Sequence, residues 1–455
     1  MEYDSSIKFG KENFVNKFKG AFLENYKILN LIGKVAYGKV YRVLNLKTGE
    51  IRACMHLSEL SKENLEKFQS EINFLIKADH PNIIRLYEIF ESQSSLYLIM
   101  EECIGGNAFD RILENIQSKR MYIEVEAANI FQQIMSAIEY CHNHGIVHKI
   151  LLPENLLYLN SGSEKDNSIK VIDFGFSPAI PIDKKIKSRI TFEYYVSPEI
   201  IKGIYTEKCD IWSEGIILYI FLSGIPPFNG LHNEAIFNQI SQMKFSFPEE
   251  QWGNISEDEK DLIRHIIAPE NERYNAKQVL DHPWFNNIRN INIANLDFNP
   301  IFLKEYAKSS LIKKISLLFI ASRIDENEIK DLKQIFEAFD KNKDGQISYQ
   351  ELKWGLYEIF ENIDLDKNGK INYTEFLAAT LQKKSYFKKE ILYEAFCLFD
   401  KDRKGSINKD KLMQVLKLEK NQEEEAENYI TIADKDGDGV INFKEFLEIM
   451  GYDDK

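Results

Sequence analysis

The pattern of hydrophobic and polar positions changes once along the chain. Between residues 26 and 285, short apolar runs such as 51–57 alternate with longer segments in which apolar residues recur every three or four positions. Beyond residue 326, apolar helical runs flank each of several polar loops. The first pattern predicts strands mixed with helices and the second predicts helices alone, so the expected fold class is α+β followed by an all-α domain.

The same pattern divides the chain into four zones. Residues 1–25 are polar and predict a loose N-terminal arm. Residues 26–285 form the large domain, 286–325 a junction, and 326–455 a second domain that contains a repeat. No apolar run approaches the ~18 residues of a membrane-spanning helix, and the start of the chain carries no secretory or myristoylation signal. We therefore expect no membrane anchor.

The charge of the chain is uneven. Its formal net charge is −13, which argues against a general nucleic-acid binder. Residues 326–455 hold 29 acidic and 21 basic side chains, a net charge of −8. The five cysteines are widely separated in sequence, which fits reduced thiols rather than a disulfide scaffold. We expect a cytoplasmic protein whose second domain is built around carboxylates.

Four twelve-residue windows in the second domain share one arrangement of oxygen-bearing residues. They span residues 340–351, 364–375, 400–411 and 434–445. Oxygen-bearing side chains favour positions 1, 3, 5, 9 and 12, glycine is sixth and isoleucine is eighth. A hard dication such as Ca²⁺ takes six to eight oxygen ligands, and a loop of this length with a glycine at its bend wraps them around the ion. The windows therefore predict four EF-hand loops.

Three of these loops keep a complete set of predicted Ca²⁺ ligands, with side chains at five positions and a backbone carbonyl at the seventh. These are Asp340, Asn342, Asp344, Gln346, Ser348 and Glu351; Asp364, Asp366, Asn368, Lys370, Asn372 and Glu375; and Asp434, Asp436, Asp438, Val440, Asn442 and Glu445. The third loop has Lys404 and Lys411 at positions 5 and 12, where ligand oxygens are needed. We expect that loop to hold no ion and to pair structurally with the fourth.

The spacing between the first two loops is short. Loops three and four begin 34 residues apart, whereas loops one and two begin 24 residues apart. The twelve residues between Glu351 and Asp364 allow about one helix of ~18 Å. Either the two hands share one helix or the sequence lacks a segment, and we expect that they do not fold back on each other in the usual way.

The junction contains a basic segment with helical periodicity at residues 309–324. Leu311, Ile315 and Leu318 recur at three- and four-residue steps, beside Lys313 and Lys314. Such a helix can pack in an ordinary core, or it can enter the apolar groove that opened EF-hands expose. We favour intramolecular binding of this helix to the EF-hand domain.

Residues 26–285 carry motifs in the order found in protein kinases. They are a glycine-rich turn (31–41), a strand (51–57), Glu71 on a helix, a hinge-like segment (97–110), a catalytic-loop-like segment (147–157), DFG (173–175), SPE (197–199), Asp210, Trp212, Arg273 and HPWF (282–285). Together with the EF-hand loops, these motifs resemble the calcium-dependent protein kinase family. The resemblance implies a bilobal kinase fold, an autoinhibitory junction and a calmodulin-like domain.

The resemblance also implies a nucleotide site. The residues that match the family's phosphate loop, adenine pocket, hinge and Mg²⁺ ligands are Gly33, Gly38, Val40, Ala53, Glu101, Cys103, Asn155, Leu157 and Asp173. We expect at most weak binding of ATP with Mg²⁺, because the positions that grip phosphate differ from the family pattern.

The positions that would carry phosphoryl transfer depart from that pattern most. The family's catalytic aspartate falls at Ile150, and its two lysines fall at Met55 and Leu152. The activation-segment threonine that bonds this aspartate falls at Phe192. Phosphoryl transfer depends almost entirely on placed charges and positioning. Apolar side chains at 150, 152 and 192 therefore indicate a polar site converted into hydrophobic core, with no catalytic residue retained.

These observations predict a calcium-responsive pseudokinase, a Ca²⁺-switched binding or scaffold protein whose partner is an unidentified protein or an active kinase. One alternative is an active Ca²⁺-regulated Ser/Thr kinase in which unorthodox residues, such as Lys34 or Lys39, fill the missing roles. A third possibility is a calcium buffer with a vestigial kinase fold. Ile150 and Met55 distinguish the first two, because catalysis requires both of their roles to be filled elsewhere.

Overall fold

The computed structural model of the chain describes residues 9–20, 22–35, 38–58, 62–92, 95–149, 151–162, 167–174, 192–230, 232–287, 299–352, 357–381, 388–416, 418 and 422–452. The predicted fold class is confirmed: a bilobal kinase-like domain, with a sheet in its N-terminal lobe and helices in its C-terminal lobe, precedes a helical EF-hand region.

Strands and helices follow one another in the order that the periodicity predicts. The strands are β1 (Asn16–Lys19), β2 (Tyr26–Val35), β3 (Gly38–Asn45), β4 (Ile51–Ser58), β5 (Leu86–Glu91), β6 (Ser95–Met100), β7 (Leu156–Tyr158), β8 (Ile169–Val171), β9 (Ile347–Ser348), β10 (Lys370–Ile371), β11 (Ser406–Ile407) and β12 (Ile441–Asn442). The helices are α1 (Phe22–Asn25), α2 (Lys62–Lys77), α3 (Ala108–Ser118), α4 (Glu124–Asn143), α5 (Pro198–Lys202), α6 (Lys208–Ser223), α7 (Asn233–Gln242), α8 (Glu249–Trp252), α9 (Glu257–Ile266), α10 (Ala276–Leu280), α11 (Ile301–Ala307), α12 (Leu311–Arg323), α13 (Lys330–Phe339), α14 (Tyr349–Leu352), α15 (Tyr357–Ile363), α16 (Tyr373–Thr380), α17 (Lys389–Phe399), α18 (Lys409–Leu416), α19 (Glu423–Ala433) and α20 (Phe443–Met450). None of the helices in these ranges is both long and apolar enough to cross a membrane.

The N-terminal lobe is a six-stranded sheet in the order β1-β5-β6-β4-β3-β2. Its central strand β4 is buried over most of its length because both of its faces are covered. On one face, Met55 and Leu57 share a core with Phe68 and Ile72 of α2, and on the other Cys54 joins a small aromatic cluster. This packing fixes β4, which carries the position of the family's phosphate-gripping lysine.

The C-terminal lobe is organised around α6, whose residues from Cys209 to Ser223 are all buried. A helix that is apolar on every side belongs in the centre of a domain, and α4, α8 and α9 pack around it. Because α6 is central, the side chain of Asp210 in its first turn is held rigidly beneath the catalytic-loop segment.

The EF-hand region consists of two pairs of loops, and both pairs are joined by short antiparallel ladders. Ile347 lies opposite Ile371, and Ile407 lies opposite Ile441. The structural pairing of loops three and four is therefore confirmed. The expectation that hands one and two cannot fold back on each other is wrong, because α14 and α15 are short enough for loops one and two to pair despite their close spacing; residues 353–356 between them lie outside the described ranges.

The junction helix α12 is buried in the EF-hand region. It packs against α16 and α17, and its apolar residues belong to the same core as the EF-hand helices. Of its two adjacent lysines, Lys313 is half-buried, whereas Lys314 is buried and its ammonium donates to Asn362 Oδ1 at 3.0 Å. The predicted intramolecular contact between junction and EF-hands is thus present.

The described part of the N-terminal arm, residues 9–20 and 22–25, is not loose, which corrects the expectation from its polar composition. Phe9 and Phe14 are buried in the EF-hand core, where the Phe14 ring meets that of Phe319 on α12 at a centroid distance of 5.7 Å. Strand β1 then pairs in parallel with β5, with Phe18 opposite Phe90. Burial of these few aromatic side chains outweighs the polar residues between them. The arm therefore connects the EF-hand region to the kinase-like sheet.

Candidate functional site

The glycine-rich turn is built by β2 and β3, which pair Gly33 with Val40. Gly38 lies so close to β4 that a Cβ there would stand 2.0 Å from the carbonyl oxygen of His56. Strand packing therefore requires glycine at this position, independently of any need for the backbone to approach a phosphate. The family's middle phosphate-loop glycine falls at Val35, whose side chain is outside the described set.

The predicted adenine-pocket residues lie on three strands that lead into the cleft. Val40 is half-buried on β3, Ala53 is buried on β4 opposite Met100, and Leu157 is half-buried on β7. Met100 ends β6 and leads directly into the hinge. These placements are consistent with the sequence-based assignment of an adenine pocket, which stays a prediction.

In the hinge, the side chain of Glu101 is committed to structure. Its Oε1 accepts a hydrogen bond from the Arg85 backbone N–H at 2.7 Å and lies 3.1 Å from the Lys170 ammonium. Cys103 is half-buried, and burial raises the pKa of its thiol. Hence the Glu101 carboxylate is occupied by contacts behind the hinge. An adenine bound in the cleft would contact the hinge backbone and not this carboxylate.

An apolar, buried residue, Met55, stands where the family has its phosphate-binding lysine. Met55 is only 5% exposed. Glu71, which the family pairs with that lysine, has a buried Oε2 with no hydrogen-bond partner among the described residues. Burial raises the pKa of Glu71 to about 8, although the charge of Lys149 opposes this shift. Glu71 has therefore lost its usual partner, and within the described ranges no other cation bonds to this oxygen.

The two predicted Mg²⁺ ligands are together. Asn155 Nδ2 donates to Asp173 Oδ2 at 3.1 Å, while Asn155 Oδ1 accepts from the Leu152 backbone at 3.1 Å. Asp173 Oδ1 is buried without a hydrogen-bond partner among the described residues, and burial raises the pKa of this carboxyl. A buried carboxylate oxygen beside an amide fits a hard dication such as Mg²⁺. The donor set for the metal is kept, whereas the family's two lysines for the phosphates are not.

The scaffold beneath the catalytic-loop segment is intact. Asp210 accepts hydrogen bonds from the backbone N–H groups of His148 at 2.8 Å and Lys149 at 2.6 Å. Arg273 and Glu199 form a buried ion pair. Leu152 packs against the main core. Ile150 and the side chain of Phe192 lie outside the described set, so the predicted apolar cluster is represented here by Leu152 alone.

All four EF-hand loops adopt one backbone conformation. The glycine at position 6 has φ between +77° and +84°, in the left-handed region that glycine tolerates best. In each loop the aspartate at position 1 accepts a hydrogen bond from the N–H of that glycine: Gly345 at 2.9 Å, Gly369 at 3.0 Å, Gly405 at 2.7 Å and Gly439 at 2.8 Å. The four loops therefore share the bend and the position-1 contact that a calcium loop needs, and the ligand assignment for loops one, two and four stays a prediction.

Among the described residues, carboxylate oxygens from three acidic residues lie close together in loops two and four. Oxygens of Asp364, Asp366 and Glu375 lie within 4.8 Å of one another, and so do those of Asp434, Asp436 and Glu445. In loop two, burial raises the pKa of Asp366 to about 7 and that of Glu375 well above its usual range. Buried acids held this close together suit a divalent cation, which would favour their ionised forms.

Loop one is arranged differently. Burial raises the pKa of Asp340 to about 8, but Asp344 is paired with the ammonium of Lys370 from loop two at 2.7 Å. Gln346 also crosses to loop two, donating to Asn372 Oδ1 at 2.7 Å. The first two loops are thus connected by side chains as well as by the β9–β10 ladder.

Loop three contains its own cation. The Lys411 ammonium donates to Asp400 Oδ1 at 2.5 Å and to the Ser406 carbonyl at 2.8 Å, and it also pairs with Asp402. These oxygens belong to positions 1, 7 and 3, which in the other loops are predicted to hold Ca²⁺. The sequence predicted only that this loop holds no ion because two lysines replace ligand oxygens, whereas here the Lys411 ammonium also contacts the remaining oxygens directly.

A buried charge cluster at the rear of the hinge was not predicted. Glu326, just after α12, lies 2.9 Å from the Lys170 ammonium and 3.0 Å from the Arg85 guanidinium, and Lys333 of α13 lies at 3.7 Å. These cations lower the pKa of Glu326 to about 2. No local motif marks this cluster, because its members come from the segment before β5, from β8, from the first residue of the second domain and from α13.

Comparisons with known proteins match the order of domains along the chain. The protein kinase domain model matches residues 26–285, an EF-hand domain pair matches 389–451, and single EF hands match 331–358 and 356–378. Calcium-dependent protein kinase 5 of Plasmodium falciparum is 38% identical over 94% of this chain and 77% of its own length. Calcium-dependent protein kinase 3 of Plasmodium berghei is 33% identical over 98% and 83%, and calcium-dependent protein kinase 29 of Arabidopsis thaliana is 35% identical over 93% and 82%.

Proposed function

The chain belongs to the calcium-dependent protein kinase family, with a kinase domain and Ca²⁺-binding EF-hands joined for intramolecular regulation, and from that premise we propose that it is a calcium-responsive pseudokinase. In this proposal the kinase domain binds a protein partner, such as an active kinase, and Ca²⁺ changes how that surface is presented. Ca²⁺ binds loops one, two and four, while Lys411 keeps it from loop three.

One observation carries this proposal: the buried Met55 replaces the cation with which Glu71 is paired in the family. Preorganised charges aimed at the reacting phosphoryl group usually contribute more to catalysis than any other effect, and a single missing donor commonly costs about 10²–10³ in kcat. Leu152 removes a second cation. Two such losses leave the site without its main electrostatic contribution.

A second candidate function is supported by a different observation. Asn155 and Asp173 keep the metal-binding arrangement, and Asp173 Oδ1 is buried with no hydrogen-bond partner in the described part of the chain. An active Ca²⁺-regulated Ser/Thr kinase with unorthodox residues would use this pair for Mg²⁺. In that case Lys149, whose charge acts on Glu71, and the phosphate-loop residues Lys34 and Lys39 are the available cations.

Phosphotransfer assays on the full chain separate the two functions. We expect no transfer from ATP to generic Ser/Thr peptides above the background of an Asp173→Ala variant, with Ca²⁺ or with a chelator. Calcium-dependent turnover that disappears in Asp173→Ala would refute the pseudokinase and establish the kinase. Thermal shifts with ATP, with and without Mg²⁺, measure nucleotide binding independently of turnover.

A further inference from the structure

The kinase domain supplies a hydrogen-bond acceptor to the second calcium hand. Asp79, in the connection between α2 and β5, accepts hydrogen bonds from Thr374 on α16. The Thr374 hydroxyl lies 2.7 Å from Asp79 Oδ1, and its backbone nitrogen lies 3.2 Å from Oδ2 and 3.3 Å from Oδ1. Both residues are buried, so this contact is inside the interface between the domains.

In the first turn of α16, the Thr374 N–H takes its acceptor from outside the helix. The first N–H groups of a helix have no partner within it, and the preceding residue usually caps one of them with its side chain. Here Asn372 is that residue, but its side chain accepts from Gln346 at 2.7 Å and donates to Asp366 at 2.7 Å. Asp79 therefore acts as the cap of α16 although it lies 295 residues away in sequence.

The capped residue adjoins the closing ligand of loop two. Glu375 follows Thr374, and its carboxylate already accepts hydrogen bonds from the backbone of Leu365 at 2.8 Å and of Asn372 at 2.9 Å. The position of the first turn of α16 therefore sets where this carboxylate stands relative to the other loop ligands. A contact that fixes that turn also fixes the ligand that completes the ion's shell.

Asp79 is itself held firmly. Its backbone N–H donates to the Tyr140 hydroxyl at 3.1 Å, and the Lys11 ammonium donates to the preceding carbonyl of Ala78. The next residue, His80, packs against loop one so closely that a Cβ on Gly345 would stand 1.9 Å from its ring. One short segment of the kinase domain thus contacts both paired calcium loops.

We propose that Asp79 is a positioning residue for the calcium site of loop two. It caps α16 from the kinase domain and thereby couples docking of the EF-hand region to the Ca²⁺ affinity of that loop. This inference rests on the calcium response of the proposed function. It adds a contact through which Ca²⁺ binding at loop two affects the kinase domain. Because such coupling is reciprocal, Ca²⁺ in loop two strengthens docking by the same factor by which docking strengthens Ca²⁺ binding.

The experiment measures Ca²⁺ affinity at one loop at a time by calorimetry on the full chain. In a loop-two reporter, Glu351→Gln and Glu445→Gln silence loops one and four. In a loop-four reporter, Glu351→Gln and Glu375→Gln silence loops one and two. Asp79→Ala is introduced into both. We expect about a tenfold loss of affinity in the loop-two reporter and none in the loop-four reporter.

Two further variants keep the proposal falsifiable if Asp79→Ala perturbs folding. Thr374→Val removes the hydroxyl that donates to Asp79 and should lower the Ca²⁺ affinity of loop two. Added to Asp79→Ala, it should cause no further loss of affinity. Asp79→Asn keeps an acceptor oxygen and should retain most of the affinity. Unchanged affinity in loop two, an equal loss in loop four, or additive effects of the two substitutions would overturn the proposal. If loop four binds no Ca²⁺ at all, the calcium response itself fails, which is a separate outcome.

Discussion

At the scale of single residues, the ammonium of Lys411 takes the place of an ion in loop three, where it contacts oxygens of Asp400, Asp402 and Ser406. Reversing the charge at the two lysine positions should turn the loop into a calcium site. With Lys404→Asp and Lys411→Glu together, positions 5 and 12 regain carboxylates, so we expect four Ca²⁺ per chain instead of three. Calorimetry on the full chain measures this number.

Lys404→Asp alone is the matched control for this prediction, because it leaves the Lys411 ammonium among the ligand oxygens. That variant should still bind three ions. A count of three in the double variant, with the chain folded, would show that the loop backbone rather than Lys411 excludes the ion.

Glu71 allows a second prediction at this scale. Its folded pKa is about 8, against ~4.3 when unfolded, so between these values the unfolded chain loses the proton first and stability falls as pH rises. Glu71→Gln removes this dependence. Because Glu71 is only partly buried, we expect the variant to gain about 1 kcal/mol over wild type at pH 8 and nothing at pH 4.

Urea unfolding at the two pH values measures the difference. Met55→Lys is the control, since an ammonium beside Glu71 should lower its pKa and remove the same slope while leaving the carboxylate in place. An equal effect of Glu71→Gln at both pH values would mean that the pKa of Glu71 is the same in the folded and unfolded chains.

At the scale of elements, the sequence predicted what depends on neighbours in the chain. The EF-hand loops were found because their ligands recur within twelve residues, and the kinase motifs because each is short and ordered. The burial of Phe9 and Phe14 was missed because it depends on α12, some three hundred residues later. The Glu326 cluster and the Asp79 cap were missed for the same reason, since their partners meet only in the folded chain.

Helix α12 also carries a prediction. Burial lowers the pKa of Lys314 to about 8, so above pH 8 the folded chain releases a proton that the unfolded chain keeps until about 10.4, and stability rises across that range. Lys314→Met keeps the apolar stem and removes the desolvation cost of the ammonium. We expect it to stabilise the protein by about 1 kcal/mol at pH 7 and to abolish the rise.

Denaturant melts from pH 7 to pH 10 test this expectation. Lys308→Met serves as the control, because Lys308 follows α11 and is exposed. A loss of stability at pH 7 in Lys314→Met, but not in Lys308→Met, would mean that the hydrogen bond to Asn362 outweighs the cost of burial.

At the scale of the whole molecule, several separate contacts join the kinase domain to the EF-hand region. The N-terminal arm runs from the EF-hand core to the edge of the kinase sheet, Asp79 caps α16, and Glu326 lies among Lys170, Arg85 and Lys333. Lys170 also contacts Glu101 in the hinge. A rearrangement of the EF-hands that moves Glu326 therefore also changes the surroundings of Lys170, which contacts Glu101 in the hinge.

The last prediction concerns that cluster. Glu326→Gln leaves Arg85, Lys170 and Lys333 with less compensating charge in a buried site, which typically costs about 3–5 kcal/mol when one partner of a buried pair is removed. The matched control is Glu328→Gln, whose exposed pair with Lys388 should contribute less than about 1 kcal/mol. Denaturant unfolding at pH 7 should therefore separate the two variants clearly.

The dependence on pH gives the sharper test of the same residue. Because the folded pKa of Glu326 is lowered to about 2, its contribution is fully present above the unfolded value of ~4.3 and is lost as the pH falls from there towards 2. Wild type and Glu326→Gln should thus differ most near pH 7 and converge as the pH approaches 2. A difference that stays constant over this range would show that Glu326 stabilises the interface by packing and hydrogen bonding alone. Its charge would then contribute nothing to the contact between the EF-hand region and the hinge.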